Sequence, residues 1–152
     1  MTVSSPPKFA STVDSTMLEG LVGYNARRAY LVILDVFLKR MAAYDLRTVD
    51  FSILSLITHN PGITSRQLAT TLSLLPPNVV GMVNTLEKRG LIERQPHPVD
   101  GRALGLHLTP EGEALVTEAE STVEHLEIEA TSSLTATERK TLIRLLQKIY
   151  RT

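Results

Sequence analysis

Between Gly62 and Gly112 the chain carries, in order, a capped helix start, a proline-opened second helix and a charged hairpin, and few folds accommodate that order. In Thr64-Ser65-Arg66-Gln67 a threonine hydroxyl can cap a helix start while the glutamine reaches back to the cap amide. This predicts a helix over Arg66 to Leu74. A second helix is expected from about Pro76 through Leu86-Glu87-Lys88-Arg89, because proline is tolerated in a first turn and Gly90 can take the left-handed closing conformation. The two helices then meet across a very short link. Leu91-Ile92-Glu93-Arg94-Gln95 and Gly105-Leu106-His107-Leu108-Thr109 each alternate apolar and polar residues, and Pro96 to Arg102 separates them. They read as an exposed hairpin tipped by Arg102.

Longer helical patterns flank this module. From about Ser15, Leu18, Leu21, Val22, Ala26, Ala29, Ile33, Val36, Phe37 and Met41 recur near helical spacing, which predicts one helix of about seven turns ending at Asp45-Leu46-Arg47-Thr48. So long an apolar stripe cannot be buried inside one chain of 152 residues, so part of it is expected to pack on another subunit. Val49 to Thr58 reads as a buried support helix, stopped by His59-Asn60-Pro61-Gly62. After the hairpin, Thr109-Pro110-Glu111 supplies a cap, a first-turn proline and an N-terminal acid for a helix to about Ala130. Thr135-Ala136-Thr137-Glu138 is a second capping box, leading into Leu142, Leu145, Leu146 and Ile149. The expected fold class is mainly α with a small β-hairpin wing. Residues 1–13 are expected to form a flexible tail and 14–152 one domain, with 14–45 and 111–152 as dimerisation helices around a winged helix-turn-helix lobe at 48–110.

Composition limits the function classes. There is no cysteine, which excludes a disulfide frame and thiolate redox chemistry. The Ser/Thr/Pro-rich start lacks the apolar core of a secretion signal and no run is long enough for a bilayer span, so no membrane association and a cytoplasmic location are expected. No nucleophile elbow, phosphate loop or metal-ligand spacing is present, so neither an enzyme nor a cofactor is expected. His59, His97, His107 and His125 are scattered, and the run Glu118, Glu120, Glu124, Glu127, Glu129 reads as a solvated face. Net charge is zero, which argues against a generic polyanion binder. The distribution is uneven, however. Gly62 to Pro110 holds five Lys/Arg against three acids, whereas the residues from Glu111 onward hold five against eight. Two copies of the modestly basic face would double the phosphate contacts available to a dimer.

The pattern Leu86-Glu87-Lys88-Arg89-Gly90-Leu91-Ile92-Glu93-Arg94, then Asp100-Gly101-Arg102, Leu106, Leu108-Thr109 and Gly112, with Leu68-Ala69 and Val79-Val80 before it, resembles the MarR family (multiple antibiotic resistance regulators). The resemblance extends over Ser15 to Arg151 and implies a homodimer on double-stranded DNA, with recognition helices in successive major grooves and wings in the flanking minor grooves. It also implies a small-molecule effector bound between the dimer helices and each lobe. Arg102 matches the wing-tip arginine expected in the minor groove, where a narrow groove concentrates negative potential. Asp100 matches the acid that holds the wing, and it can equally serve as a turn former. Lys88 and Arg94 sit where the phosphate backbone should pass, and Ser65 and Arg66 open the helix before the recognition helix.

The recognition stretch departs from the family pattern, because it lacks the Arg or Lys commonly found there. Among Pro77, Asn78, Val80, Gly81 and Asn84, the asparagines can pair with adenine edges and Val80 can meet a thymine methyl. Gly81 costs about 1 kcal/mol of helix propensity against alanine, to be offset either by close approach to DNA or by close helix packing. Tyr24, Arg27 and Arg28 suit an aromatic acid or its coenzyme A thioester by charge pairing and stacking, or else form ion pairs or phosphate contacts. These residues describe a ligand-responsive regulator, a repressor released from a near-palindromic operator. The alternative is a dimeric winged-helix interaction module that binds protein or a small ligand, with weak DNA affinity.

Overall fold

The computed structural model describes residues 10–151, which fall into two compact units divided between Val32 and Ile33. Most of the expected tail lies outside the described residues, and 10–13 form no helix or strand. Helices α1 (Thr16–Glu19) and α2 (Val22–Arg40) replace the single long helix expected from the apolar stripe. The break has a local cause. Gly20 closes α1 with its N–H on the Met17 carbonyl at 3.3 Å, and the Asn25 amide donates to the Glu19 and Leu21 carbonyls at 2.9 and 2.7 Å. A side chain thus satisfies carbonyls that the interruption would leave without partners. Among the described residues, no helix is long and apolar enough to cross a membrane.

The second unit begins in α2 and continues through a 3₁₀ turn (Ala42–Tyr44), α3 (Thr48–His59), α4 (Ser65–Leu72) and α5 (Pro76–Lys88). The hairpin β1 (Ile92–Pro96) and β2 (Leu104–Leu108) follows, then α6 (Pro110–Ala130) and α7 (Ala136–Tyr150). Most predicted caps are present. Thr64 Oγ1 accepts the Gln67 N–H at 3.2 Å while Gln67 Oε1 accepts the Thr64 N–H at 3.0 Å, and Thr135 with Glu138 repeats the pattern at 3.1 and 2.9 Å. Gly90 takes φ +74°, the left-handed closure its position required. Helix α4 ends two residues before the expected Leu74. Ser73 turns left-handed at φ 54°, and Leu75, ahead of two prolines, is held extended at ψ 131°.

Helix α3 supplies Ile53, Leu54 and Ile57 to the core, α5 supplies Val79, Val83 and Leu86, and α6 adds Val116, Ala119 and Leu126. Ile92 and Leu106 close it from the hairpin, and Phe37 meets Phe51 edge-on with centroids 6.4 Å apart. Each fully buried aliphatic side chain stabilises the lobe by about 2 kcal/mol. The strands pair antiparallel from Ile92 with Leu108 to Pro96 with Leu104, one residue away from the expected boundaries. Gly62 and Ile63 bond to Leu106 at 2.8 and 2.9 Å, so the entry to α4 and the hairpin are pinned together.

The hairpin is joined to α6 by backbone contact. The Thr109 N–H donates to the Leu91 carbonyl at 3.1 Å, and Thr109 Oγ1 both donates to the Gly90 carbonyl at 2.6 Å and accepts the Gly112 N–H at 3.0 Å. A Cβ on Gly112 would lie 2.0 Å from the Leu91 oxygen, so this crossing closes only around glycine. By contrast α7 buries none of its residues, and Leu142, Ile143, Leu145, Leu146 and Ile149 are exposed.

Candidate nucleic-acid interface

Helical periodicity divides α5 into two faces. Val79, Val83 and Leu86 turn inward, which leaves Pro77, Asn78, Val80, Gly81, Asn84 and Lys88 exposed along the other side. Pro76 and Pro77 open the helix without backbone N–H groups, so two donors that would need capping are absent. A Cβ built on Gly81 meets nothing within 4 Å. Close packing within the chain therefore does not account for this glycine, and one of the two explanations weighed from the sequence falls away for the isolated subunit.

The structure brings Arg94 and Asn84 together. Arg94, half-buried on β1, donates to the Asn84 side-chain oxygen and to Glu87 Oε2 at 3.1 Å. The sequence places Arg94 where phosphate should pass and offers Asn84 for adenine edges. Instead their side chains form one network that ties the wing strand to α5. Lys88, Arg66 and Arg102 are exposed and make no ion pair among the described residues. Arg66 stands in the first turn of α4, beside the half-buried Ser65, on an open cleft of about 740 Å³ that reaches His97 at the base of the wing loop.

The wing tip is built by side chains that accept backbone hydrogens. Asp100 Oδ1 accepts the Arg102 N–H at 3.1 Å, the geometry of a turn former that also sets the arginine at the tip. His97 Nδ1 accepts the N–H groups of Val99 at 3.2 Å and Asp100 at 3.0 Å, a role that the sequence did not signal. The loop closes through Ala103 N–H to the Asp100 carbonyl and His97 N–H to the Ala103 carbonyl, both at 3.0 Å. Arg89 was also missed as a structural residue. It donates to the Asp45 and Tyr44 carbonyls at 2.7 and 3.1 Å, and it anchors the end of α5 to the turn that follows α2.

In the first unit, Arg28 donates to the Tyr24 hydroxyl at 2.9 Å and lies 5.8 Å from its ring centroid, one helical turn away. Arg27 is exposed on the same helix. Elsewhere, Arg40 forms a two-pronged ion pair with Glu129 at 2.9 and 2.7 Å, which holds the end of α2 to α6. The hydrogen bonds from Arg40 hold the Glu129 carboxyl below its ordinary range.

Comparison with known proteins gives the same picture. The family model described as MarR family matches residues 46–104, the span from just ahead of α3 to the first residue of β2. A protein of Thauera aromatica, named for transcriptional regulation of the hcr operon, is 31% identical over 88% of this chain and 81% of its own length. The transcriptional repressor CouR, solved with a 23-mer DNA duplex, superposes with a TM-score of 0.85 at 36% identity, covering 91% of this chain and 99% of CouR. CouR solved with p-coumaroyl-CoA gives a TM-score of 0.81 at 34% identity, over 93% and 99% of the two chains. With the capped helix pair, the hairpin and these likenesses agreeing over most of its length, the chain belongs to the MarR family of transcription regulators.

Proposed function

We propose that this regulator is a homodimeric repressor that binds a near-palindromic operator and is released by an aromatic acyl-coenzyme A thioester or a related aromatic acid. The observation that carries the DNA half is the outward row of α5, Asn78, Val80 and Gly81, on the helix against which β1 packs, together with a wing tip whose Arg102 is exposed. A helix with that face offers amide and methyl groups to base edges, and the wing offers a guanidinium to a narrow groove. Lys88 and Arg66 supply phosphate contacts that set register and salt dependence. Arg94 and Asn84 act through their shared network, keeping β1 and α5 in fixed register.

Support for the dimer comes from α7, whose apolar side chains are exposed, and from Met17, Leu18, Leu21, Val22, Leu31 and Val32, exposed along α1, the link after it and α2. Residues 14–45 and 111–152 are the dimerisation segments in this reading, and 48–110 the lobe. The effector class rests on the likeness to CouR, which was solved with p-coumaroyl-CoA. Tyr24, Arg27 and Arg28 are the residues we assign to it, a ring and two cations on one helix. An effector lowers operator affinity only by its differential affinity for the two arrangements of the lobes.

The test is a footprint on the DNA adjoining the chain's own coding sequence at two salt concentrations, with and without p-coumaroyl-CoA. The expected result is a protected near-palindrome with half-sites about one helical turn apart and steep salt dependence, weakened by the thioester. Absence of protection at low salt would instead favour an interaction module.

A further inference from the structure

The single cation of α5, Lys88, stands at its C-terminal end, so the stretch of outward face that carries Asn78, Val80 and Gly81 brings no cation of its own to a polyanion. The fold supplies one from another element. Arg47, immediately ahead of α3, borders a shallow depression of about 370 Å³ together with Pro77, Asn78, Gly81, Met82 and Thr85. The missing side chain of Gly81 keeps this depression open.

The Arg47 side chain is held on one edge. Asp50, only 6% exposed, accepts Nε at 3.1 Å and Nη2 at 3.0 Å, and it also accepts the Arg47 backbone N–H at 3.0 Å. A guanidinium has five N–H donors, so three remain, and the side chain is still 64% exposed. A buried carboxylate fixing one edge of a planar fork orients the free edge in advance, which reduces the ordering that a ligand must impose. Phosphate oxygens match that free edge in geometry and charge.

We infer that Arg47 and the depression at Gly81 form a phosphodiester-binding site, through which the DNA backbone is clamped against the start of α5. This rests on the DNA-binding reading above and adds to it a residue from outside the recognition helix and the wing. The contact is to the backbone, so it contributes affinity and register without base choice.

Operator and unrelated duplex would each be titrated over a range of salt with wild type, Arg47→Gln and Arg47→Lys, with melting temperatures recorded. Arg47→Gln is expected to weaken both duplexes equally, by about tenfold, the loss of one charge-assisted contact, and to flatten the slope of log K against log salt. Arg47→Lys should keep the slope, because its charge remains. In ethylation-interference mapping with this conservative variant, interference at one phosphate per half-site should weaken, a readout that does not depend on Arg47→Gln folding. Unchanged affinity and slope in a folded Arg47→Gln, or an interference map identical to wild type, would overturn the assignment. So would a loss confined to the operator, since that is a base contact. A wild-type protein with no salt-dependent DNA binding would instead overturn the DNA-binding reading, and this site with it.

Discussion

The guanidinium of Arg89 donates to the main-chain oxygen of Asp45 at 2.7 Å, across 44 residues of sequence. Asp45 holds a left-handed conformation at φ 51°, uncommon for a residue with a side chain, and the neighbouring Tyr44 carbonyl accepts a second bond from Arg89. The end of α5 and the turn after α2 thus stabilise each other. We expect Arg89→Ala to lower stability by about 1 to 2 kcal/mol and to weaken operator binding beyond what the stability loss explains, because α5 loses its anchor. Denaturant unfolding and DNA titration on the same preparation check this, and equal operator affinity in the folded variant would refute the anchoring role.

Two glycines should respond in opposite directions to the same substitution. Gly112→Ala places a methyl group 2.0 Å from the Leu91 carbonyl oxygen, a backbone atom that cannot swing aside. A loss of more than about 2 kcal/mol is expected. Gly81→Ala enters open space on a helix and should raise stability by up to about 1 kcal/mol. If the α5 backbone approaches DNA there, operator affinity falls while the melting temperature rises. Unchanged operator affinity would leave Gly81 without a role in DNA contact.

The exposed face of α7 gives a direct test of the proposed dimer. Leu145→Glu and Ile149→Arg alter side chains that touch no core of the single subunit. Sedimentation should show a shift from dimer to monomer, with operator affinity lost in parallel as half the contacts disappear. A variant that sediments like wild type would place the subunit interface elsewhere.

Acid stability should depend on Glu129. Its carboxyl is lowered by the Arg40 hydrogen bonds below the ordinary value of 4.5, so the pair's contribution is present above that value and lost as pH falls through the folded-state value. Glu127 acts with the opposite sign, since burial raises its carboxyl. Glu129→Gln should therefore flatten the decline of stability between about pH 5 and 3. Denaturant melts at several pH values measure this, and an unaltered acid limb would remove the pair from the account.

Features decided within three or four residues were legible from the sequence. The caps at Thr64, Thr109 and Thr135 depend on a hydroxyl and an amide three positions on, and the exposed row of α5 follows from helical spacing. Features decided by a distant partner were not. The break at Gly20 needs Asn25 to reach back six residues, Arg94 looks like a free cation until Glu87 and Asn84 are placed beside it, and nothing local to Arg89 points to Asp45. Caps and periodicity supplied the order of elements, with which the family resemblance agreed, while the partners of each charged side chain had to come from the fold.

The backbone crossing of Gly112 and Leu91 has a mechanical meaning. With no side chain between them and hydrogen bonds from Thr109 across the joint, the base of the wing and the first turn of α6 are held in direct backbone contact. Helix α6 runs 21 residues from that joint, about 30 Å. A tilt on the order of 5° at one end corresponds to about 3 Å at the other, comparable to the width of a hydrogen bond. With glycine at position 112, any such tilt of the wing base would be carried along α6 to its far end.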